Sequence, residues 1–183
     1  MRLKRKVASN WNTNPIVKKT RILAIDPGTK IMGYADFESG NLVDYGLKLF
    51  KPMGKIESLL NDIEVVVERL ILEKQPTVVI LEKNRFSQIT NNVRLTLAIA
   101  RIKSVSKRHR IKLLEFAPNT VRAIVCKNGY STKSDLAKTI VSRYPEVGLF
   151  IRNQSCSSLN LFYNITDAVA CGQAFIELNS TKR

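Results

Sequence analysis

The first patterned stretch of the chain is RILAID, residues 21–26, a short run of β-rich apolar residues that DPGTK breaks into a turn. IMGYADFE and NLVDYGLKLF follow with strand-like content, so the folded part is expected to open as a three-stranded β-meander. From Met53 the period changes. Ile56, Leu59, Leu60, Ile63, Val66, Val67, Leu70 and Ile71 recur at helical spacing, with Glu57, Asp62, Glu64 and Glu68 between them, which predicts an amphipathic helix. QPTVVILE then supplies a breaker and a continuous apolar strand ending on Glu82, the kind of run expected where helices cover both faces of a sheet. A second helix is predicted over 91–107, RIKLLEF as the next strand, helices over 118–126 and 132–144, and a last helix over about 164–178. A meander followed by alternating helices and strands implies an α/β fold with a mixed sheet, the meander at one side, parallel strands toward the other, and flanking helices.

Composition narrows what such a fold does. The 183 residues, 44% hydrophobic, suffice for one substantial core and favour one domain. A formal charge of +15 and a pI near 10.0 exceed what solubility requires and point to a polyanionic partner, nucleic acid first. No uninterrupted apolar run approaches ~18 residues, and the basic residues do not gather on one amphipathic helix, so a membrane is not the expected partner. Cys126, Cys156 and Cys171 are odd in number and form no CxxC, and they read as reduced thiols. Residues 1–20 read as a basic tail, probing DNA as a solvated arm, because the first 21 residues carry seven Lys/Arg, no acid and no apolar secretory core. A transit address stays open.

Three acids carry the candidate chemistry. Asp26 and Glu82 end two strands, and Asp167 is placed one turn into the last predicted helix, where Ala168, Val169 and Ala170 would let that helix lie close on the sheet. If the strands are neighbours, the acids converge. Carboxylates held together repel, and a hard divalent cation, Mg²⁺ or Mn²⁺, is the usual reason a cluster is tolerated. Two ions ~4 Å apart could activate water and stabilise a leaving 3′-oxygen at a phosphodiester. Taken singly, each acid also has an ordinary role: a turn at Asp26, a strand-end charge at Glu82, a favourable first-turn acid at Asp167.

At these residues the chain resembles the RuvC family of Holliday-junction resolvases, in the ribonuclease H-like superfamily. LAIDPGTKIMGYADF resembles the family's opening motif through Asp26, Pro27, Gly28, Gly33 and Tyr34. VVILEKNRF resembles the second, which implies Glu82 as a metal ligand, with Phe86 near the aromatic that family members insert at the junction point and Arg85 as a DNA contact. EFAPNTVRAIVCKNGYSTKSDLAKTIV resembles the segment whose basic residues contact the scissile region, here Arg122 and Lys133. NITDAVACGQAF resembles the terminal motif of two aspartates three apart before a small-residue helix. Its first position here is Asn164.

The resemblance implies a ribonuclease H-like domain over residues 21–183 that nicks four-way junctions in pairs as a homodimer, through two divalent ions held by Asp26, Glu82, Asn164 and Asp167. It implies a dimer interface on the helix after Asn91 and a cytoplasmic or nucleoid setting, bacterial or phage, with an organelle left open. A broad branched-DNA nuclease and a junction-binding protein without catalysis are the alternatives. Asn164 can ligate through its carbonyl but carries no charge, and it also suits a helix-capping role beside Asp167. It reads as a variant with altered metal use, as an Asp→Asn replacement that disables cutting, or as the mark of a lineage that binds only. Lys30, Arg101, Lys103, Lys107, Arg108, Arg110 and Lys112 are expected to track phosphates, and Trp11 and Tyr130 could stack on bases. His109 stands in that basic run with no acidic neighbour in sequence, which argues against a catalytic base.

Overall fold

The computed structural model describes residues 20–51, 55–83, 93–152 and 159–180. Its strands are β1 (Arg21–Asp26), β2 (Ile31–Glu38), β3 (Asn41–Leu49), β4 (Val78–Glu82) and β5 (Lys112–Phe116). They form one sheet in the order β3-β2-β1-β4-β5. The β1–β2 and β2–β3 pairs are antiparallel, whereas β1–β4 and β4–β5 are parallel, so the meander occupies one side and the parallel strands the other, as expected.

Strand alternation divides the core into two layers. Leu23, Ile25, Val79 and Leu81 point to the face covered by α1 (Ile56–Lys74) and α2 (Val93–Arg108), where they meet Leu59, Ile63, Val67, Ile102 and Val105. Ile22, Ala24, Val78 and Ile80 point to the opposite face. There they pack with α3 (Pro118–Val125), α4 (Lys133–Arg143), α5 (Pro145–Arg152) and α6 (Leu159–Ser180). Because Asp26 and Glu82 continue the parity of Ile22, Ala24, Val78 and Ile80, both carboxylates belong to the α6 face.

α6 crosses that face closely. Ala168, Val169, Ala170, Cys171 and Ala174 are fully buried. A Cβ on Gly172 would stand 2.2 Å from Cε2 of Phe37, and one on Gly33 would stand 2.0 Å from the backbone oxygen of Asn164. The β2 and α6 backbones touch at Gly33, and at Gly172 the helix backbone lies against the Phe37 ring.

Two expectations about helices are corrected. The last helix begins at Leu159 rather than near residue 164, because Phe162 and Ile165 are buried and extend the packed face upstream. Asn164 is therefore inside the helix and caps nothing; its Nδ2 donates to the carbonyl of Asn160 at 2.6 Å, and Asp167 lies two turns in. No helix was expected between 144 and 164, whereas α5 begins at Pro145, whose missing N–H costs nothing at a first helical position.

Candidate metal centre and its surroundings

Asp26 and Glu82 end neighbouring parallel strands, where Ile25 pairs with Leu81 one residue earlier. α6 delivers Asp167 over the same strand ends. Carboxylate oxygens of Asp26, Glu82 and Asp167 lie within 4.8 Å of one another. Asp167 is 4% exposed. Asn164 precedes it by one helical turn on the same face, and its backbone rests on Gly33, the β2 partner of Asp26. The three acids read from the sequence are thus brought together, and Asn164 stands one turn before Asp167 on α6.

Two basic side chains face the acids. Thr132 and Asp135 cap α4 reciprocally, Asp135 N–H donating to Thr132 Oγ1 at 3.1 Å and Thr132 N–H to Asp135 Oδ2 at 2.9 Å. That cap places Lys133 at the first helical position, where a cation opposes the helix dipole. Its compensation is Asp167, whose Oδ2 accepts from Lys133 Nζ at 2.9 Å. Arg122, on α3, has a buried Nε without a hydrogen-bond partner among the described residues. Together with Asp26, Pro27, Glu82, Lys83, Leu95 and Pro118, Arg122 and Lys133 line a cleft of about 340 Å³.

The electrostatics are those of a cluster awaiting positive charge. Burial, then Glu82, then Asp167 hold the Asp26 carboxyl well above the usual carboxylate range. Burial and Asp167 also raise Glu82, while a hydrogen bond from Asp26 and the charges of Lys133 and Arg122 pull the other way. Burial disfavours the Lys133 ammonium, but Asp167, then Glu82 and Asp26, outweigh it and raise its pKa. Three convergent carboxylates on rigid elements supply the hard oxygen donors that Mg²⁺ or Mn²⁺ prefer, so the residues present fit a divalent cation.

A pH dependence follows. Carboxyls raised in the folded state favour folding when protonated, so their contribution is full below the unfolded values of 3.8 and 4.5 and is lost as pH rises through the raised folded values. In EDTA, Tm is expected to fall from about pH 5 toward neutrality through these two groups, and added Mg²⁺ should flatten the slope. Glu177, held at about 2 against burial by hydrogen bonds from Arg143, Lys127 and Gln173, contributes fully above 4.5 and leaves that window unaffected. Differential scanning calorimetry across pH checks this; a Tm independent of both pH and metal would contradict it.

The other expected contacts divide. Lys30 is exposed on the β1–β2 turn at the site's end of the sheet, and Tyr130 is 98% exposed on the α3–α4 turn. Arg85, Phe86, Trp11 and the N-terminal tail lie outside the described residues. The basic run is less free than its sequence suggests. Arg101 pairs with Glu64, Arg108 with Glu64 at 2.7 Å and Glu68 at 2.8 Å, and Lys103 with Glu115 at 2.9 Å. These pairs join α1, α2 and β5. Lys107 is exposed. Leu95 lines the cleft and Arg108 follows it 13 residues later, ~20 Å along α2 toward the opposite end of the sheet. His109, expected to lack an acidic neighbour, has one: its Nε2 lies 3.0 Å from Glu68 Oε1. Lys83 is a cleft residue that the sequence reading passed over, although it directly follows Glu82.

A mixed sheet whose central strands end in carboxylates, under a helix that brings a third, has the architecture and the donor set expected of a metal-dependent nuclease with a ribonuclease H-like fold. The model of the family described as crossover junction endodeoxyribonuclease RuvC matches residues 22–147. The chain belongs to this family. A curated relative, crossover junction endodeoxyribonuclease RuvC of Rickettsia prowazekii, is 29% identical over 148 residues, covering 78% of this chain and 94% of the relative. Among solved structures, Thermus thermophilus RuvC in complex with Holliday junction substrate superposes with a TM-score of 0.69 at 14% identity, covering 88% of this chain and 96% of that one. The yeast mitochondrial Holliday junction resolvase Ydc2 gives 0.65 at 17%, covering 91% and 82%. The ribonuclease H-like fold is thereby shared. The family match contains Asp26, Glu82, Arg122 and Lys133 and ends before Asn164 and Asp167.

Proposed function

We propose that this chain is a structure-selective endodeoxyribonuclease that resolves four-way DNA junctions by paired nicks. The observation that carries this reading is the convergence of Asp26, Glu82 and Asp167 within 4.8 Å beside a cleft lined by Lys83, Arg122 and Lys133. Asp26, Glu82 and Asp167, with the carbonyl of Asn164, would hold Mg²⁺, one position more weakly because Asn164 is neutral. When bound, divalent cations supply activation of water and stabilisation of the leaving 3′-oxygen, with two ions engaged during cleavage. The chain's own groups orient the DNA. Arg122 and Lys133 would neutralise the phosphate as it enters the cleft.

Two nicks of matched geometry call for a homodimer with two sites. Support for α2 as its interface comes from Val93, Leu97, Ala100 and Ser104, which form a solvent-exposed stripe at helical spacing. Among the described residues no helix is long and apolar enough to cross a membrane. Lys30, Lys107, Arg122 and Lys133, joined by Arg85, Phe86 and the basic tail, form the proposed DNA-contacting set. Arg101, Lys103 and Arg108 would join it only by leaving their carboxylate partners. Junction affinity should accordingly fall with salt with a log–log slope of several units, at ~0.9 per neutralised phosphate. An affinity unchanged between low and physiological salt would oppose this surface.

A second reading is favoured by one residue. Asn164 removes a charge where the family resemblance places an acid, which suits a protein that binds junctions without cutting. Cleavage of four-way junction, fork, flap and linear duplex by the same preparation separates the readings. A resolvase cuts the junction preferentially and symmetrically, a general branched-DNA nuclease cuts fork and flap as well, and a binder cuts none.

A further inference from the structure

We propose that Tyr130, on the turn joining α3 to α4, stacks on a base exposed at the branch point of the DNA and thereby favours branched substrate over linear duplex. The inference rests on the reading of the neighbouring cleft as the place where a junction strand is held. Tyr130 is 98% exposed, whereas the other described tyrosines and phenylalanines are buried or half-buried. Its ring adds nothing to the core, yet the backbone beneath it is firmly held. The Tyr130 N–H donates to Asn128 Oδ1 at 3.0 Å and the Ser131 N–H to the Asn128 carbonyl at 3.2 Å. Lys127 ties the start of the turn to Glu177 of α6, and the reciprocal cap between Thr132 and Asp135 fixes its end. A tyrosine has only two side-chain torsions, so a ring on such a turn loses little freedom when it is covered.

The turn is bracketed by cleft residues. Arg122 precedes Tyr130 by eight residues and Lys133 follows it by three, and both line the cleft. Three residues span at most ~11 Å, and a DNA strand advances ~3.4 Å per nucleotide, so Tyr130 stands within about three nucleotides of a strand held at Lys133. Arg122 and Lys133 offer charge to phosphates, which duplex and junction share, and charge alone does not separate the two. A ring does. In linear duplex each base is covered on both faces, whereas stacking is interrupted at a branch point, and an aromatic ring accepts any base because every base has a π-face. This contact is additional to the one that the resemblance implies for Phe86.

Photocrosslinking in EDTA tests this, with the full chain on four-way junctions that carry 5-iododeoxyuridine at each position within three nucleotides of the branch point. A crosslink to Tyr130 is expected on the junction and none on linear duplex of the same sequence. Tyr130→Ala should weaken junction binding by about fivefold to a hundredfold, with duplex affinity and Tm unchanged, and Tyr130→Phe should bind as the unaltered chain does. Junction affinity unchanged in Tyr130→Ala, an equal loss on duplex, or no crosslink to Tyr130 would overturn the proposal. So would a loss in Tyr130→Phe equal to that in Tyr130→Ala, which would assign the contact to the hydroxyl and a phosphate. An unaltered chain that binds junction no better than duplex would overturn the junction reading itself, and this inference with it.

Discussion

Asp26→Asn is expected to reduce junction cleavage by about 10³-fold or more while making the metal-free protein more stable. The loss follows from removing one of three mutually adjacent carboxylates: several kcal/mol of transition-state stabilisation is at stake, and each ~1.4 kcal/mol is tenfold in rate. The gain in stability follows from the same geometry. Burial, Glu82 and Asp167 all disfavour the charged form of Asp26, so an isosteric amide relieves repulsion and desolvation together. Tm without metal should rise by ~2–4 °C for each kcal/mol regained, and the stabilisation by added Mg²⁺ should shrink. Most buried substitutions destabilise, so the sign is diagnostic. A variant that lost activity and stability together would mean that Asp26 is structural; its binding to junction in EDTA completes the comparison and should persist.

Gly33→Ala should damage the same centre from outside it. The added Cβ would lie 2.0 Å from the Asn164 carbonyl oxygen and 2.6 Å from its carbon, both backbone atoms of α6, which cannot rotate away. Either β2 or α6 must move. Overpacking of this kind costs about 1–3 kcal/mol, and a shift of the order of 1 Å between Asp167 and Asp26 can cost ~10²-fold in rate. Tm and Mg²⁺ affinity should both fall. Gly129→Ala is the control, since its Cβ would meet nothing closer than 3.6 Å. Equal effects of the two substitutions would show that the close approach of α6 to the sheet does not position the acids.

Much of the arrangement was legible because strand periodicity is a local property. Asp26 and Glu82 close runs whose alternation dictates the face they share, and neighbouring parallel strands bring their ends together. The small residues after Asp167 announced a closely packed helix. What stayed hidden was tertiary. Asn164 followed by Asp167 imitates a cap, and only the burial of Phe162 and Ile165 shows that the helix has already begun. The basic run of α2 looked like a phosphate-tracking face because its acidic partners, Glu64 and Glu68, lie on α1, far away in sequence. His109 was misread for the same reason. The bond from Lys133 to Asp167 links residues 34 apart, and charge spacing along the chain gives no sign of it.

The central claim, that these acids make a metal-dependent junction-resolving centre, is tested most directly on a synthetic four-way junction labelled on each arm and incubated with the purified chain, with and without Mg²⁺. The account predicts two nicks placed symmetrically across the junction, only when metal is present, and faster in Asn164→Asp. Absence of cleavage by both the unaltered chain and Asn164→Asp, with junction bound by each, would contradict it.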